Sequence, residues 1–402
     1  MNPSAKGWIK KLLSELPPNE SVFPYSLDDL YNELKNCGFI YGTNLKAIFN
    51  SVEATDLTHE ELCKVNMLLA FDFIHKSYAS QRNFVDSVTD FYNIVDDFKS
   101  SFFQELFLGK KKSYDLLESM INKRIAIDDN VITKNFNYLI TNTLLFVDVL
   151  AYEKYLQTGK VTDLYLRDLE ATIETIIFIA LDVKKEKTKY DQSLIKLFES
   201  SFRYEHRERL HYDDVIKNVS NPLTKYYIID LVCMTFWTDT VIDEDEQAFL
   251  HQLAVDLNVP DELLQKAMDD IRMFYEQHKD EVALLKSRNM IQSFYENSSS
   301  MVKKLINRNK KRLATELYES KELMILLTQS TTRSLSDEEQ KRVKEQLLDI
   351  FKSIPSLAIF MLPGGMLLLP IVIKYIPNIL PSGFDDNRLE EEDDDSDNAK
   401  RD

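Results

Sequence analysis

The sequence predicts an all-α protein, and three observations carry that expectation. Glycine occurs only 8 times in 402 residues, well below average usage, which disfavours turn-rich β architectures and phosphate-cradling loops. Apolar residues recur at three- and four-residue steps with charges on the remaining positions, as in "HEELCKVNMLLAFDFIHKSYAS" and "NYLITNTLLFVDVLAYEKYL", the pattern of amphipathic helices. No stretch shows strong strand alternation. The expected architecture is a multi-helix cytoplasmic body followed by a Pro/Gly-rich apolar segment near the C-terminal end.

Composition bounds the function. The formal charge is −17, which argues against general nucleic-acid binding and against DNA as a partner. Hydrophobic residues make up 44% of the chain, enough for a large core, and the length predicts about two to three domains. Cys37, Cys63 and Cys233 are far apart and form no CxxC pair, so a reducing compartment is expected. The opening "MNPSAKGWIKKLLSELPPNE" has no apolar core and no small-residue cleavage site, and the first arginine is Arg82. Neither a secretory signal nor an Arg-rich transit peptide is expected, which places the body in a bacterial cytoplasm.

Residues 1–215 read as an N-terminal helical region. "ATIETIIFIALDV" is its most apolar helix, bounded too closely by Glu174 and Asp182 to span a bilayer. Loops are expected at "LPPNESVFP" (Leu16 to Pro24) and "LGKKKSYD". A second block, 221–290, starts at Asn221-Pro222 with the helix pattern "LTKYYIIDLVCMTFW". It is interrupted by "TDTVIDEDEQ" and resumes as "AFLHQLAVDLNVPDELLQKAMDDIRMF". Pro260 fits the first turn of the last helix, where Asp261 and Glu262 complement the dipole. The helix, acidic turn, helix, turn, helix order resembles the tellurite-resistance TerB-like domains over about 60 residues, departing at Val241, where a glycine is common.

The acidic turn fails as an EF-hand. With Asp239 as first ligand, Glu244 stands where glycine is needed and Leu250 where the bidentate glutamate belongs. Asp239, Asp243 and Asp245, with Glu244 and Glu246, could hold a cation weakly; a helix-capping, solvated turn is the favoured reading. His206 and His211 are five apart, a poor fit to one helical face, and with Asp213 and Asp214 read as a solvated helix end. "GKKKS" lacks the upstream glycine of a P-loop, and no Gly-x-Ser-x-Gly elbow occurs. A non-enzymatic protein without metal or cofactor is expected.

Charged connecting helices fill 291–334. "MVKKLINRNKKRLATEL" carries Lys303, Lys304, Arg308, Lys310, Lys311 and Arg312. These form either a solvated face or a basic face lying against anionic lipid or a ribosome. "SDEEQKRVKEQLLDIF" then opens with a capping box, Ser336 and Glu339. No charge falls between Lys352 and Lys374, so Ser353 to Ile373 as a helix would reach about 30 Å, one hydrocarbon core.

Within that segment Pro363, Gly364, Gly365 and Pro370 together would break a helix in water, each interior proline costing about 3 kcal/mol; with Pro355, Lys374, Pro377, Asn378 and Pro381 they make up the candidate membrane segment. Membranes tolerate them better, because neighbouring groups can satisfy the freed backbone. Membrane insertion is therefore the expectation, with a soluble packing hairpin as the alternative. Pro363, Pro370 and Pro377 are seven apart and would free the carbonyls of Ile359, Met366 and Ile373 along one side of a persistent helix. A kinked anchor is favoured over a cation path, since one span cannot form a pore alone and would need a homo-oligomer or membrane entry by other helices.

The pattern Leu368, Leu369, Pro370, Lys374, Pro377, Asn378, Leu380, Pro381, Ser382, Phe384 resembles the membrane segment of the leucine-zipper/EF-hand transmembrane (LETM) family. With the helical region and the TerB-like block, the chain is similar to LETM-related, biofilm-associated bacterial proteins. The resemblance implies a bilayer as partner, cation/proton exchange, and ribosome contact through a large soluble domain beyond the segment. The family's intramembrane glutamate, the natural proton or cation carrier, aligns with Met366. Lys341, Arg342, Lys344 and Lys352 place the N-terminal side in the cytoplasm. Residues 335–384 are read as the LETM-like helix and membrane segment, and 385–402 as an acidic disordered tail. The expected function is a bacterial inner-membrane protein in membrane-linked assembly, stress response or ion homeostasis. An exchange subunit and a ribosome-binding membrane adaptor are the alternatives.

Overall fold

The computed structural model describes residues 1–16, 26–48, 56–78, 81–97, 113–125, 143–183, 211–237, 242–278, 299, 301–333, 335–354, 356–357, 360 and 368–376. All regular structure among them is helical. The first eleven helices are α1 (Trp8–Glu15), α2 (Leu27–Asn36), α3 (His59–Ser77), α4 (Phe84–Asp97), α5 (Ser113–Ile125), α6 (Phe146–Thr158), α7 (Asp163–Val183), α8 (Tyr212–Asn218), α9 (Pro222–Phe236), α10 (Glu244–Asp256) and α11 (Asp261–His278). Then follow α12 (residues 301–308), α13 (Lys310–Glu319), α14 (Lys321–Thr332), α15 (Asp337–Ser353) and α16 (Leu369–Tyr375). The loop expected at "LGKKKSYD" is shorter than its sequence suggested, because Ser113 to Asp115 already form the first turn of α5.

Two apolar cores organise the chain. The first is one continuous cluster from Trp8 to Phe274, and the second runs from Val302 to Ile376. α3 lies at the centre of the first, with every residue from Glu61 to His75 buried. A helix buried all round needs partners on all sides, and α3 packs against α2, α4, α5 and α6. Its start is fixed by a capping box in which the Thr58 hydroxyl accepts from Glu61 N–H and the Glu61 carboxylate accepts from Thr58 N–H.

α9 is the corresponding hub of the second block. Asn221 caps it and Pro222 stands in its first turn, where the missing N–H costs nothing. It packs against α10 and α11 and, on another side, against α7. As expected, α10 and α11 are separate helices. The turn between them uses Asn258 at φ 52, and the Pro260 carbonyl accepts the first bonds of α11 from Leu263 and Leu264.

Buried ion pairs tie these helices together. Lys35 of α2 lies 2.9 Å from Asp230 of α9 and 2.8 Å from Asp270 of α11. Burial is the largest influence on Lys35 and opposes its charge, but the two carboxylates outweigh it and raise its pKa. Arg124 of α5 grips Asp148 of α6 with Nε and Nη2, at 2.7 and 3.2 Å. Such pairs contribute less than their Coulomb energy suggests, yet removing one partner strands a buried charge.

The second core is built by α12 to α16, with α14 packed on α13, α15 and α16. Its longest helix, α15, begins at the predicted Ser336–Glu339 capping box. It stops at Ser353, with Ile354 extended at φ −115, ψ 104. The continuous helix expected from Ser353 to Ile373 is therefore absent. Residues 356–357, 360 and 368 occupy short 3₁₀ turns before α16 begins. Among the described residues no helix is long and apolar enough to cross a membrane. Seven residues of α16 span only about 10 Å. Proline explains the break: Ile354 precedes Pro355, and the residue before a proline is pushed out of the helical region, while Pro370 stands in the first turn of α16.

Candidate functional site: the C-terminal helical unit and its docking

Residues 301–376 carry the features that point to function, and physical chemistry explains how they are held. α12 and α13 are separated by a break at Asn309, whose side chain donates to the Leu305 carbonyl at 2.7 Å and to Ser356 Oγ at 2.9 Å. Asn309 thus joins the helix break to the apolar segment. Arg312 donates to the Ser353 carbonyl at 2.6 Å, satisfying an orphan acceptor at the end of α15. Phe351 and Phe360 stack tilted with ring centroids 4.9 Å apart. Leu357, Phe360, Leu368, Val372 and Ile376 are all fully covered by the second core. The apolar segment, as far as it is described, follows the packed arrangement held as the alternative.

A polar contact docks this unit on the first core. Arg308 pairs with Glu61, whose side chain is only 2% exposed. The same carboxylate also serves the Thr58 capping box and accepts from Ser4 Oγ at 2.6 Å. Lys304 donates to the Leu57 carbonyl at 3.3 Å and Arg308 to the Asp56 carbonyl at 3.4 Å. Burial is the largest influence on Glu61 and opposes ionisation, but Arg308, Ser4 and the Thr58 N–H together hold its pKa below the usual carboxylate range. Next to it, His59 is pulled down to about 4 by desolvation, with the Lys304 charge adding to the effect.

The six basic residues do not form one face. Lys303, Lys310 and Lys311 are exposed, Lys304 and Arg308 are turned into the docking contact, and Arg312 is held by Ser353. Lys304 and Arg308, four apart, share one side of α12 while Lys303 faces another, and Lys310 and Lys311 belong to α13 beyond the break at Asn309. Lys374 is exposed at the end of α16. Pro355, Pro363, Gly364, Gly365, Pro377, Asn378 and Pro381 lie outside the described residues, as does Asp239.

Asp243 is the N-cap of α10, accepting from Asp245 and Glu246 N–H at 2.9 Å each, with Glu246 completing a capping box. Asp245 is exposed in the first turn. This is the capping arrangement favoured for the acidic turn. Among the described residues no cluster of His, Cys, Asp or Glu could hold a metal ion. His211 precedes α8, and Asp213 and Asp214 occupy its first turn; His206 lies outside the described residues.

Sequence reasoning missed Glu61. The Thr58-x-x-Glu61 spacing was readable as a capping box, but its partner Arg308 lies 247 positions away, beyond any local pattern.

The fold defines a helical protein with a large first core and a smaller C-terminal unit holding a proline-broken apolar segment. Residues 335–402, which overlap this unit, match the family model described as LETM1-like, RBD. The chain thus carries a LETM1-like domain, and the LETM resemblance read from its prolines is borne out. The match itself bears the RBD description and extends to Asp402. No curated protein and no solved structure matches the chain.

Proposed function

We propose that the protein is a non-enzymatic, membrane-associated LETM-like protein. Its helical body, with α9 to α11 as a TerB-like module, is held at the cytoplasmic face of a bacterial inner membrane through residues 335–384. It serves membrane-linked assembly, stress response or ion homeostasis of the biofilm-associated type. The observation that carries this reading is the LETM1-like match across a stretch without charge from Ser353 to Ile373. The apolar side chains that shelter in the second core are those a bilayer would take up. Short helices separated by prolines suit a re-entrant or interfacial placement better than a straight span. The test is fractionation of cells expressing the full chain, beside a chain ending at Ser353: only the full chain should sediment with membranes and resist a high-salt wash.

A second reading, a ribosome-binding membrane adaptor, rests on the RBD description of the matched family and on exposed Lys303, Lys310 and Lys311. It requires salt-sensitive co-sedimentation with ribosomes that weakens when these three lysines become glutamine. Cation/proton exchange would require an acid in the segment, where Met366 stands.

A further inference from the structure

Helix α12 belongs to both halves of the molecule. Its Val302, Leu305 and Ile306 share one face and are buried in the second core. Lys304 and Arg308, on another side, reach the Leu57 and Asp56 carbonyls and the Glu61 carboxylate of the first half.

The two sides hold by different forces. Among the described residues, the buried apolar side chains form two separate cores, and the partly buried ones that pack on each come from its own part of the chain. The junction thus rests on polar contacts rather than on a shared apolar core. Those contacts are imperfect. The bonds to the carbonyls are long, 3.3 and 3.4 Å. Arg308 Nε and Nη2 are buried without an acceptor among the described residues. A buried donor left unpaired costs free energy that it regains in water. The docked arrangement carries that cost and the undocked one does not, so the junction can open without dismantling either core.

Undocking reaches the apolar segment directly. Asn309 follows Arg308 and donates to Ser356 Oγ at 2.9 Å, just before buried Leu357. Glu61, Arg308, Asn309 and Ser356 thus link the central helix α3 to the start of the segment.

We propose that α12 is a latch that restrains membrane binding: while Arg308 and Lys304 hold it on the first core, the Asn309–Ser356 bond keeps the apolar segment packed. A lipid surface takes up the segment from the unlatched form, so apparent affinity is reduced by the unlatched fraction. This inference rests on the membrane association proposed above.

The test is flotation of the full-length protein with vesicles of phosphatidylcholine and phosphatidylglycerol, comparing the unaltered chain with Arg308→Met and Lys304→Met. Each change removes a positive charge, so a basic surface drawn to anionic lipid would bind more weakly after it. An opened latch binds more tightly: Arg308→Met should gain about ten-fold in affinity, and Lys304→Met should gain by a smaller factor. Without vesicles, hydrogen exchange in Arg308→Met should accelerate in α12 while α9 keeps its protection. Equal or weaker binding by folded Arg308→Met, with the unaltered chain bound, would overturn the latch and leave membrane association standing. Binding by neither would overturn both. Exchange accelerated equally in α12 and α9 would assign the gain to general unfolding and overturn the latch. If Arg308→Met fails to fold, Lys304→Met, at a half-buried position, decides by the same signs.

Discussion

Arg308 and Glu61, 247 positions apart, form the ion pair that docks the C-terminal helical unit on the first core. Glu61 is also the N3 member of the capping box that starts the central helix α3 at Thr58. Docking and the register of the buried hub therefore depend on one carboxylate.

Removing both partners should cost less than the two single removals added together. Arg308→Met leaves Glu61 buried without its cation, and breaking a buried pair in this way costs about 3–5 kcal/mol. Glu61→Gln combined with Arg308→Met should cost less than the sum of the single changes, the sign of direct coupling. Urea unfolding of the two single variants and the double variant measures this.

The docking contact should loosen in acid. His59 has its folded pKa lowered to about 4, so the unfolded chain takes up its proton first and stability falls as pH drops from about 6.5 towards 4. Glu61, also lowered, contributes stability that is present above its unfolded value, about 4.3, and is lost as pH falls through its folded value. His59→Gln should flatten the upper part of this fall and leave the lower part. Denaturation midpoints measured from about pH 7 down to about pH 2 check both.

Gly38 should not tolerate a side chain. Its φ is +88, and an added Cβ would lie 2.8 Å from Thr43 Cγ2, 2.8 Å from the Thr43 carbonyl and 2.9 Å from Phe274 Cζ. Left-handed strain of about 1–2 kcal/mol adds to overpacking of about 1–3 kcal/mol. Gly38→Ala should therefore destabilise the first core by about 2–5 kcal/mol. Gly159, also left-handed at φ +70, has nothing within 4 Å of its added Cβ, and Gly159→Ala should cost only the strain. Thermal unfolding of the pair separates the two contributions.

The second core should open independently of the first. Phe360 is fully buried against Phe351, and Phe→Ala in such a site costs about 3–5 kcal/mol. In Phe360→Ala, hydrogen exchange should accelerate in α13 to α16 while α3 and α9 keep their protection. Uniform acceleration across both cores would mean that they unfold as one.

Local chemistry was legible in the sequence. The capping boxes at Ser336–Glu339 and the proline start of α9 follow from residue types within one helical turn. Long helices such as α3 and α7 were readable because their apolar periodicity runs over several turns. The path of the apolar segment was not. Hydropathy alone cannot separate side chains destined for lipid from those that meet Val343, Leu347 and Phe351 in a core. Pro370 could be read as a break or as a first turn, and only the end of α15 at Ser353 decides between them. The basic stretch was legible as charge but not as geometry. Lys303 and Lys304 are neighbours in sequence, yet one faces solvent and the other the Leu57 carbonyl. The ion pairs Lys35–Asp230 and Arg308–Glu61 needed the tertiary fold, because their partners lie far apart in the chain.

Membrane association through the C-terminal LETM1-like region is the central claim, and fractionation of the full-length protein tests it most directly. The account predicts that the full chain sediments with the inner membrane, stays there in high salt, and exposes its helical body to protease only from the cytoplasmic side. Recovery of the intact full-length protein in the soluble fraction, with its second core protected from protease, would contradict it.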